Sequence, residues 1–237
     1  MALKIIKLNP ALKAWRELLE FAELRVGPRW MFRGLGNSGH GLVPKVGRPH
    51  AGSPVYDSDR ELTIFRNFKR RALTLVPPQI ETNLEWLAVA QHHGLPTRLL
   101  DWTPNPLVAA FFAAANVASD QKAPARVYAF PVSSKMLIPK DTDPFGIDEV
   151  RFFIPPHLNA RMIAQRGCFS VHDEPDQDWK PARLEYFDIA SEFAQTIRRR
   201  LFYLGIDSSS IMTDLDGLCA TLAWQFQTKV ASGAISF

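Results

Sequence analysis

Cysteine is scarce in this sequence: 237 residues contain only Cys168 and Cys219, without C-x-x-C spacing. This argues against a disulfide framework and against a structural zinc site, and favours a reducing, cytoplasmic setting. No stretch approaches the roughly 18 uninterrupted apolar residues of a membrane span. The N-terminal segment has neither the apolar core nor the cleavage site of a signal peptide. We therefore expect no membrane partner.

A strong excess of charge of one sign is also lacking. The net charge is +4 and the pI about 9.2, which suits an anionic ligand such as a phosphate but is too common to imply nucleic acid. No H-E-x-x-H motif occurs, and neither His92 nor His93 has a further ligand at i,i+4 spacing, so no metal is predicted. Hydrophobic residues make up 46% and charged residues 22%, as in an ordinary globular protein.

What is present is a mixture of helical and strand patterns. Helical spacing of apolar residues and end signals predict helices, whereas short apolar runs bounded by Gly or Pro predict strands. The predicted helices are 10–25, 59–75, 84–93, 106–118, 157–167, 190–204 and 214–226, and the predicted strands are 30–32, 125–132, 147–154, 168–172 and 184–189. We predict an α+β fold with a small central β-structure surrounded by helices. It forms a single domain over 1–237, on which 190–237 packs as a C-terminal helical portion.

The stretch 85–118 concentrates polar chemistry between two apolar helical patterns. Asn83 is a candidate cap for the first helix, which carries His92 and His93 in its last turn and ends at Gly94. Because successive helical positions lie about 100° apart, the two imidazoles are expected to have different roles. A connection that serves packing alone rarely holds the further groups found here, which are Arg98, Asp101, Trp102 and Thr103.

Asp101 has two open interpretations. Asn105 and Pro106 start the second helix, whose N-terminus turns its unsatisfied N–H groups toward the preceding segment. Asp101 is then either a structural acceptor for those amides or an acid of a functional site.

An arginine follows the short apolar run Trp30-Met31-Phe32. Arg33 precedes Gly34, Gly36 and Gly39, so we expect a permissive backbone after the strand. A guanidinium offers a bidentate fork to a phosphate, and a glycine-rich turn can add backbone N–H donors. The alternative is an arginine at the edge of the core that is satisfied by a carboxylate, and the spacing alone leaves both open. The basic runs 69–71 and 198–200 lie near helix ends, and we interpret them as solvated faces.

Several of these motifs together resemble the FRG domain family, named for its Phe-Arg-Gly motif. The matching segments are Phe32-Arg33-Gly34, the long stretch EWLAVAQHHGLPTRLLDWTPNPLVAAFFA from Glu85, residues 165–169 (Gln-Arg-Gly-Cys-Phe) and LGIDSSSIMTDLDGL from Leu204. The last of these departs from the family pattern, because Ile211-Met212-Thr213 precede Asp214 where Phe-Pro-Asp-Leu is usual. The family is recognised chiefly as a domain of undefined function.

A more remote similarity is to ADP-ribosyltransferases, whose first strand carries an aromatic-Arg-Gly motif with the arginine on the NAD diphosphate. Phe32-Arg33-Gly34 is similar to that element, and Thr103 with the apolar helix after it is similar to the second. The third, a catalytic Glu, has no clean counterpart, although Gln165 and Glu174 flank the region. This resemblance implies a split transferase-like sandwich, NAD as substrate, and catalytic roles for His93, Asp101, Gln165 and His172. Ligand binding would fall to Arg33, Gly34, His92, Arg98 and Thr103.

Three hypotheses follow. The first is an ADP-ribosyltransferase-like enzyme, a candidate toxin or defence effector, which acts on a protein or nucleic-acid acceptor. The second is a non-catalytic module that binds a nucleotide or another phosphate-bearing ligand through Arg33. The third is a nuclease or nucleic-acid binder that uses the basic runs, although no paired-carboxylate metal motif accompanies them.

Overall fold

A computed structural model describes residues 9–49, 55–76, 80–118, 120–155 and 167–230. The helices of these residues are α1 Pro10–Glu23, α2 Ser58–Ala72, α3 Asn83–His92, α4 Pro106–Ala115, α5 Ser191–Tyr203, α6 Ser208–Met212 and α7 Leu215–Thr228. The strands are β1 Trp30–Leu35, β2 Leu99–Trp102, β3 Ala125–Pro131, β4 Arg151–Phe153, β5 Cys168–Val171 and β6 Glu185–Ile189. This composition confirms the predicted α+β class.

The chain divides into two compact units, each built from separate segments. Unit 1 takes its described residues from within 1–39, 103–130 and 184–237, and unit 2 takes its own from within 40–102 and 131–183. Each unit contains one three-stranded sheet, so the β-structure is split rather than gathered in one central sheet.

In unit 1 the strand order is β1-β3-β6, and β3 and β6 are antiparallel with Val127 opposite Phe187. Helix α4 packs on β1 and on α5, and α1 also contacts α5. Small residues of α4 permit this close approach, since Ala109, Ala110 and Ala113 are fully buried. Ile197 and Leu201 of α5 belong to the same core.

In unit 2 the strand order is β2-β5-β4, with β5 antiparallel to both neighbours. The sheet, α2 and α3 share an apolar core that includes Phe65, Leu84, Leu87, Leu99 and Val171. Helix α3 is buried from Leu84 to Ala90, as expected of a helix that is apolar on most sides.

Helix ends follow local capping chemistry, which confirms the predicted start of α4 and corrects the predicted cap of α3. Asn105 accepts hydrogen bonds from the N–H groups of Leu107 and Val108, so the side-chain cap of α4 is Asn105 and not Asp101. At α3 the cap is Thr82, which forms a capping box with Glu85; Asn83 is the first helical residue.

Two segments differ from the predicted connections. Residues 99–102, predicted as part of a polar linker, form β2, because Leu99, Leu100 and Trp102 are apolar enough to be buried against β5. Between the predicted helices 190–204 and 214–226, where no element was predicted, lies the short helix α6, capped by Asp207. The predicted helix 157–167 lies almost entirely outside the described residues.

Candidate functional site: Arg33 and the polar groups of the long motif

Strand β1 is held along both edges. It lies next to β3 in the sheet of unit 1. On its other side Phe32 and Thr103 form an antiparallel bridge, with N···O distances of 2.7 Å from Phe32 N and 2.9 Å from Thr103 N. Phe32 is 1% exposed and anchors the strand in the core. The fold therefore brings the start of the apolar α4 segment directly beside the Phe32-Arg33-Gly34 motif.

The glycines after Arg33 serve close packing rather than a permissive turn. Gly34 lies inside β1, and a Cβ there would overlap the carbonyl oxygen of Ala109 and lie 2.6 Å from the Ala113 nitrogen. A Cβ at Gly36 would overlap the backbone of Asn116 in the same way. Neither glycine, nor Gly39, has a positive φ. Gly34 and Gly36 therefore lack side chains so that α4 and its C-terminal turn can approach β1, and a phosphate-cradling role for this turn stays a prediction.

Arg33 is half-buried. Directly paired residues of adjacent strands share a face, and successive residues of one strand alternate faces. Thr103 thus lies on the buried face with Phe32, and Arg33 lies on the opposite one. The Thr103 hydroxyl also accepts a hydrogen bond from Asn105 N at 3.2 Å, so it serves its own turn. The structure brings Arg33 and Thr103 onto neighbouring segments but directs their side chains to opposite faces.

Arg98 is a buried structural cation. It is 3% exposed, and its guanidinium donates to both carboxylate oxygens of Glu61, with Nε···Oε1 at 3.1 Å and Nη2···Oε2 at 2.6 Å. Nη1 donates to the carbonyl oxygens of Pro144 and His172 at 3.0 and 3.3 Å. The sequence analysis considered an arginine paired with a carboxylate as one interpretation of Arg33, and Arg98 has this arrangement. Its hydrogen bonds leave Arg98 no donor group that faces outward for a ligand.

His172 belongs to a buried chain of polar groups. The indole N–H of Trp102 donates to Ser170 Oγ at 2.9 Å, and Ser170 Oγ lies 2.8 Å from His172 Nε2. Ser170 and His172 are 0% and 1% exposed, and the indole of Trp179 packs edge-on against the imidazole. A general acid or base must reach the proton that it transfers. In this structure His172 satisfies core groups of unit 2 instead.

His92 and His93 end α3 in different environments, as their adjacency predicts. His92 is half-buried and His93 is exposed, and their rings contact edge-on with centroids 4.8 Å apart. His93 is the C-cap residue, and the chain leaves the helix at Gly94, where φ is +89°. His93 is therefore the more accessible imidazole of the pair.

Asp101 is exposed on β2, opposite Phe169 of β5. Its charge raises the pKa of Arg48, although burial has the larger effect and lowers that pKa overall. It also adds to the rise in the pKa of the Cys168 thiol, for which burial is the main cause. Asp101 thus keeps an accessible carboxylate next to a cation of unit 2.

Gln165 lies outside the described residues. Among the residues that the structure describes, no group of three or more His, Cys, Asp or Glu side chains is arranged to hold a metal ion. None of the helices in those ranges combines the length and hydropathy that a bilayer crossing requires.

The strand with the Phe-Arg-Gly motif and the long motif through α4 both fall within residues 28–122, which match the family model described as FRG domain. The chain carries an FRG domain. Comparison with curated proteins and with solved structures found no match. The FRG domain match takes in residues of both units, whereas the resemblances noted at 165–169 and from Leu204 lie beyond it.

Sequence reasoning missed Glu61 and Arg48. Glu61 lies four residues before the core residue Phe65 on α2, so both lie on the same helix face, and a carboxylate on an apolar face predicts a buried cationic partner. Arg48 follows a 3-10 turn in a segment rich in Gly and Pro, and nothing in its local pattern separates it from a surface arginine.

Proposed function

We propose that the FRG domain binds a nucleotide or another phosphate-bearing ligand through Arg33, with NAD as the first ligand to test. The observation that supports this is that the three residues of Phe32-Arg33-Gly34 have different structural environments. Phe32 is explained by core burial and Gly34 by the approach of α4, whereas Arg33 is the half-buried side chain on the face opposite to Phe32.

The setting of Arg33 also supports phosphate binding. A binding group is most effective when its backbone is fixed before the ligand arrives, because less conformational entropy is then lost on binding. β1 meets this condition through β3 on one edge, Thr103 on the other and α4 across Gly34. A guanidinium on such a strand can offer two parallel N–H donors to phosphate oxygens.

ADP-ribosyl transfer is the catalytic form of this proposal. It is favoured by the pairing of β1 with the segment that leads into α4, since the resemblance to ADP-ribosyltransferases rests on these two elements. Such chemistry needs a carboxylate that orients the ribose or stabilises the oxocarbenium-like transition state. Asp101 and His93 are the exposed candidates among the predicted catalytic residues.

The test combines binding and turnover. Binding of labelled NAD to the purified protein is measured for the wild type, Arg33→Ala and Arg126→Ala. Arg126 is the matched control, because it is a sheet arginine of the same unit that pairs with Asp188. We expect Arg33→Ala to weaken NAD binding roughly tenfold or more, because it removes charge-assisted hydrogen bonds to the phosphates. Arg126→Ala should leave NAD binding unchanged.

The same samples are assayed for nicotinamide release and for transfer of label to proteins and nucleic acids of a cell extract. Turnover that Asp101→Asn or His93→Gln abolishes would support the transferase, whereas binding without turnover would support a non-catalytic module. If neither NAD nor adenine mononucleotides bind, or if Arg33→Ala binds them as tightly as the wild type does, the proposal is wrong.

A further inference from the structure

A group of three cations borders a cavity in unit 2, away from the Arg33 strand in sequence. A cavity of about 230 Å³ is bordered by the 3-10 turn Lys45–Gly47, by α2 and by the end of the long motif at residues 95–97. Lys45, Arg48 and Arg60 line it. The HHGLPT segment thus supplies one wall of the cavity, which gives this part of the long motif a role that its sequence did not reveal.

The cations that line the cavity, Lys45, Arg48 and Arg60, outnumber its two carboxylates. Among the described residues, none of its three cations forms a salt bridge. Lys45 Nζ donates to the carbonyl oxygen of Gly94 at 2.9 Å, and Arg48 Nε donates to that of Val43 at 2.9 Å. These hydrogen bonds go to neutral acceptors, and the carboxylate whose charge acts on Arg48 is Asp101.

The two carboxylates that line the cavity are already engaged. Asp57 caps α2 by accepting hydrogen bonds from the N–H groups of Asp59 and Arg60. Glu61 is held by Arg98 and also accepts a hydrogen bond from the Tyr56 hydroxyl at 2.7 Å. Burial and this hydrogen bond raise the pKa of Tyr56 far above its ordinary value, so Tyr56 stays neutral.

Arg48 has the most to gain from an anion. It is partly buried, and burial lowers its pKa from the ordinary arginine value, with Asp101 as a partial counterweight. A cation that has lost part of its hydration is stabilised by a ligand with negative charge. The cavity also has apolar lining residues, which include Ile64, Phe65, Leu87 and Leu95. This combination of a cationic rim and an apolar wall suits a ligand with both characters.

We propose that this cavity is a second ligand site, which binds a small organic anion. The carboxylate or phosphate head of the ligand faces Lys45, Arg48 and Arg60, and its compact apolar body lies against Ile64, Leu87 and Leu95. The volume falls below the roughly 300 Å³ at which typical ligand pockets begin, so the apolar body is about the size of a single aromatic ring. The site is independent of nucleotide binding at Arg33.

Phenyl phosphate is the probe, measured by calorimetric titration against inorganic phosphate and benzyl alcohol. We expect phenyl phosphate to bind the wild type roughly tenfold or more tightly than either, because only phenyl phosphate uses both walls of the cavity. Arg48→Gln should lose roughly tenfold in affinity, whereas Arg66→Gln, an exposed arginine of α2 that does not line the cavity, should keep the wild-type value.

A second pair of variants tests the site without touching Arg48. Ile64 is 46% exposed, so polar replacements there are tolerated by the fold. Ile64→Glu places a negative charge at the cavity and should abolish binding of phenyl phosphate. Ile64→Gln has a side chain of the same shape as Glu but no charge, so it should bind phenyl phosphate more tightly than Ile64→Glu. Circular dichroism and thermal unfolding verify that every variant is folded.

The outcomes separate this site from the one at Arg33. Arg33→Ala should bind phenyl phosphate as the wild type does, even if it loses NAD. The inference is overturned if phenyl phosphate binds no more tightly than inorganic phosphate, if Ile64→Glu and Ile64→Gln bind equally well, or if Arg33→Ala and not Arg48→Gln loses the probe.

Discussion

Arg98 and Arg33 show how differently one residue type is used in this protein. Both lie within motifs of the FRG domain, and both were candidates for holding a ligand. Arg98 is closed inside unit 2 by Glu61, Tyr56 and two carbonyl oxygens, whereas Arg33 is half-buried on an edge of the sheet of unit 1. The buried ion pair stabilises the motif segment, and the half-buried arginine is the one that we assign to a ligand.

The Arg98–Glu61 pair yields a stability prediction. Glu61→Gln leaves a buried guanidinium without its counter-charge, which typically costs about 3–5 kcal/mol of the free energy of unfolding. Glu17→Gln is the matched control, because the Lys13–Glu17 pair is exposed and such pairs contribute about 0–1 kcal/mol. Denaturant titration measures both. Equal effects of the two variants would contradict a structural role for the buried pair.

The two cysteines should differ sharply in reactivity. Cys219 is exposed, whereas Cys168 is buried and burial raises its pKa to about 12. The thiolate is the reactive species, so a disulfide reagent should modify one thiol rapidly at about pH 8 and the second only in denaturant. Cys219→Ser should remove the fast reaction and Cys168→Ser should keep it. Rapid modification of Cys168 in the folded protein would contradict this description of β5.

Cys168 also gives a pH dependence with a defined sign. Burial in the folded state raises the pKa of this thiol from its ordinary value of 9.0 to about 12, so the unfolded chain releases this proton first. The free energy of unfolding should therefore fall as the pH rises above about 9, until the folded-state thiol also ionises. Cys168→Ser, which lacks this group, should show a smaller loss than the wild type over the same pH range.

At the scale of elements, the contact between β1 and α4 organises unit 1. Gly34 lets the strand approach the helix, and alanines of α4 supply the complementary surface. The Asn105 cap and Pro106 fix where that helix starts, and the Phe32–Thr103 bridge fixes the segment before it. Local sequence and packing therefore agree at this contact.

Gly34→Ala tests this contact. The added Cβ would meet backbone atoms of Ala109 and Ala113, which cannot rotate away, so the strand and helix must separate. We expect a loss of about 3 kcal/mol or more in the free energy of unfolding, at the upper end of the range for overpacking. Gly146→Ala is the control, because its nearest atom would be 4.0 Å away and its φ is not positive. Wild-type stability of Gly34→Ala would show that β1 is not packed as described.

At the scale of the whole molecule, the FRG domain match does not coincide with a structural unit. Residues 28–122 contain β1, α2, α3, β2 and α4 but neither β3, the sheet neighbour of β1, nor β5, the sheet neighbour of β2. They also lack α5, which packs on α4. The family model thus covers pieces of two cores whose remaining parts lie before and after the matched residues.

A fragment of residues 28–122 should therefore not fold by itself. Both of its strands would keep unpaired edges, and α4 would expose apolar surface that α5 covers, so the fragment cannot recover the entropy lost on ordering. Thermal unfolding and amide chemical-shift dispersion are the measurements, with the full chain as control. A cooperative transition and a dispersed spectrum for the fragment would contradict the division into these two units.

The elements themselves were largely predictable from sequence. Helix α1 begins after Asn9 at Pro10 as its cap signals indicate, and strands β3, β5 and β6 lie within a residue or two of the predicted runs. These elements carry their own start and stop chemistry. Residues 99–102 were not recognised as a strand, because four residues that include Asp101 give little periodicity until β5 pairs with them.

The candidate site was less predictable. The sequence singled out Arg33, His93 and Asp101, which the structure places at half-buried or exposed positions, but it also chose Arg98 and His172, which the structure buries. Nothing local separates these groups, since each is a polar residue beside apolar ones. The sequence analysis did not predict the cavity bordered by Arg48. The residues that line this cavity come from segments that lie close together only in the fold.

The sequence by itself determined the α+β class, most helix and strand positions and the family motifs, because these depend on periodicity, capping and residue identity over short distances. The tertiary structure decided what each polar group does. Glu61 and Arg98 are 37 positions apart in sequence. Phe32 and Thr103 pair although residues of unit 2 lie between them in sequence. A charge becomes structural or functional through its burial and its partners, and these are fixed only when distant segments pack together.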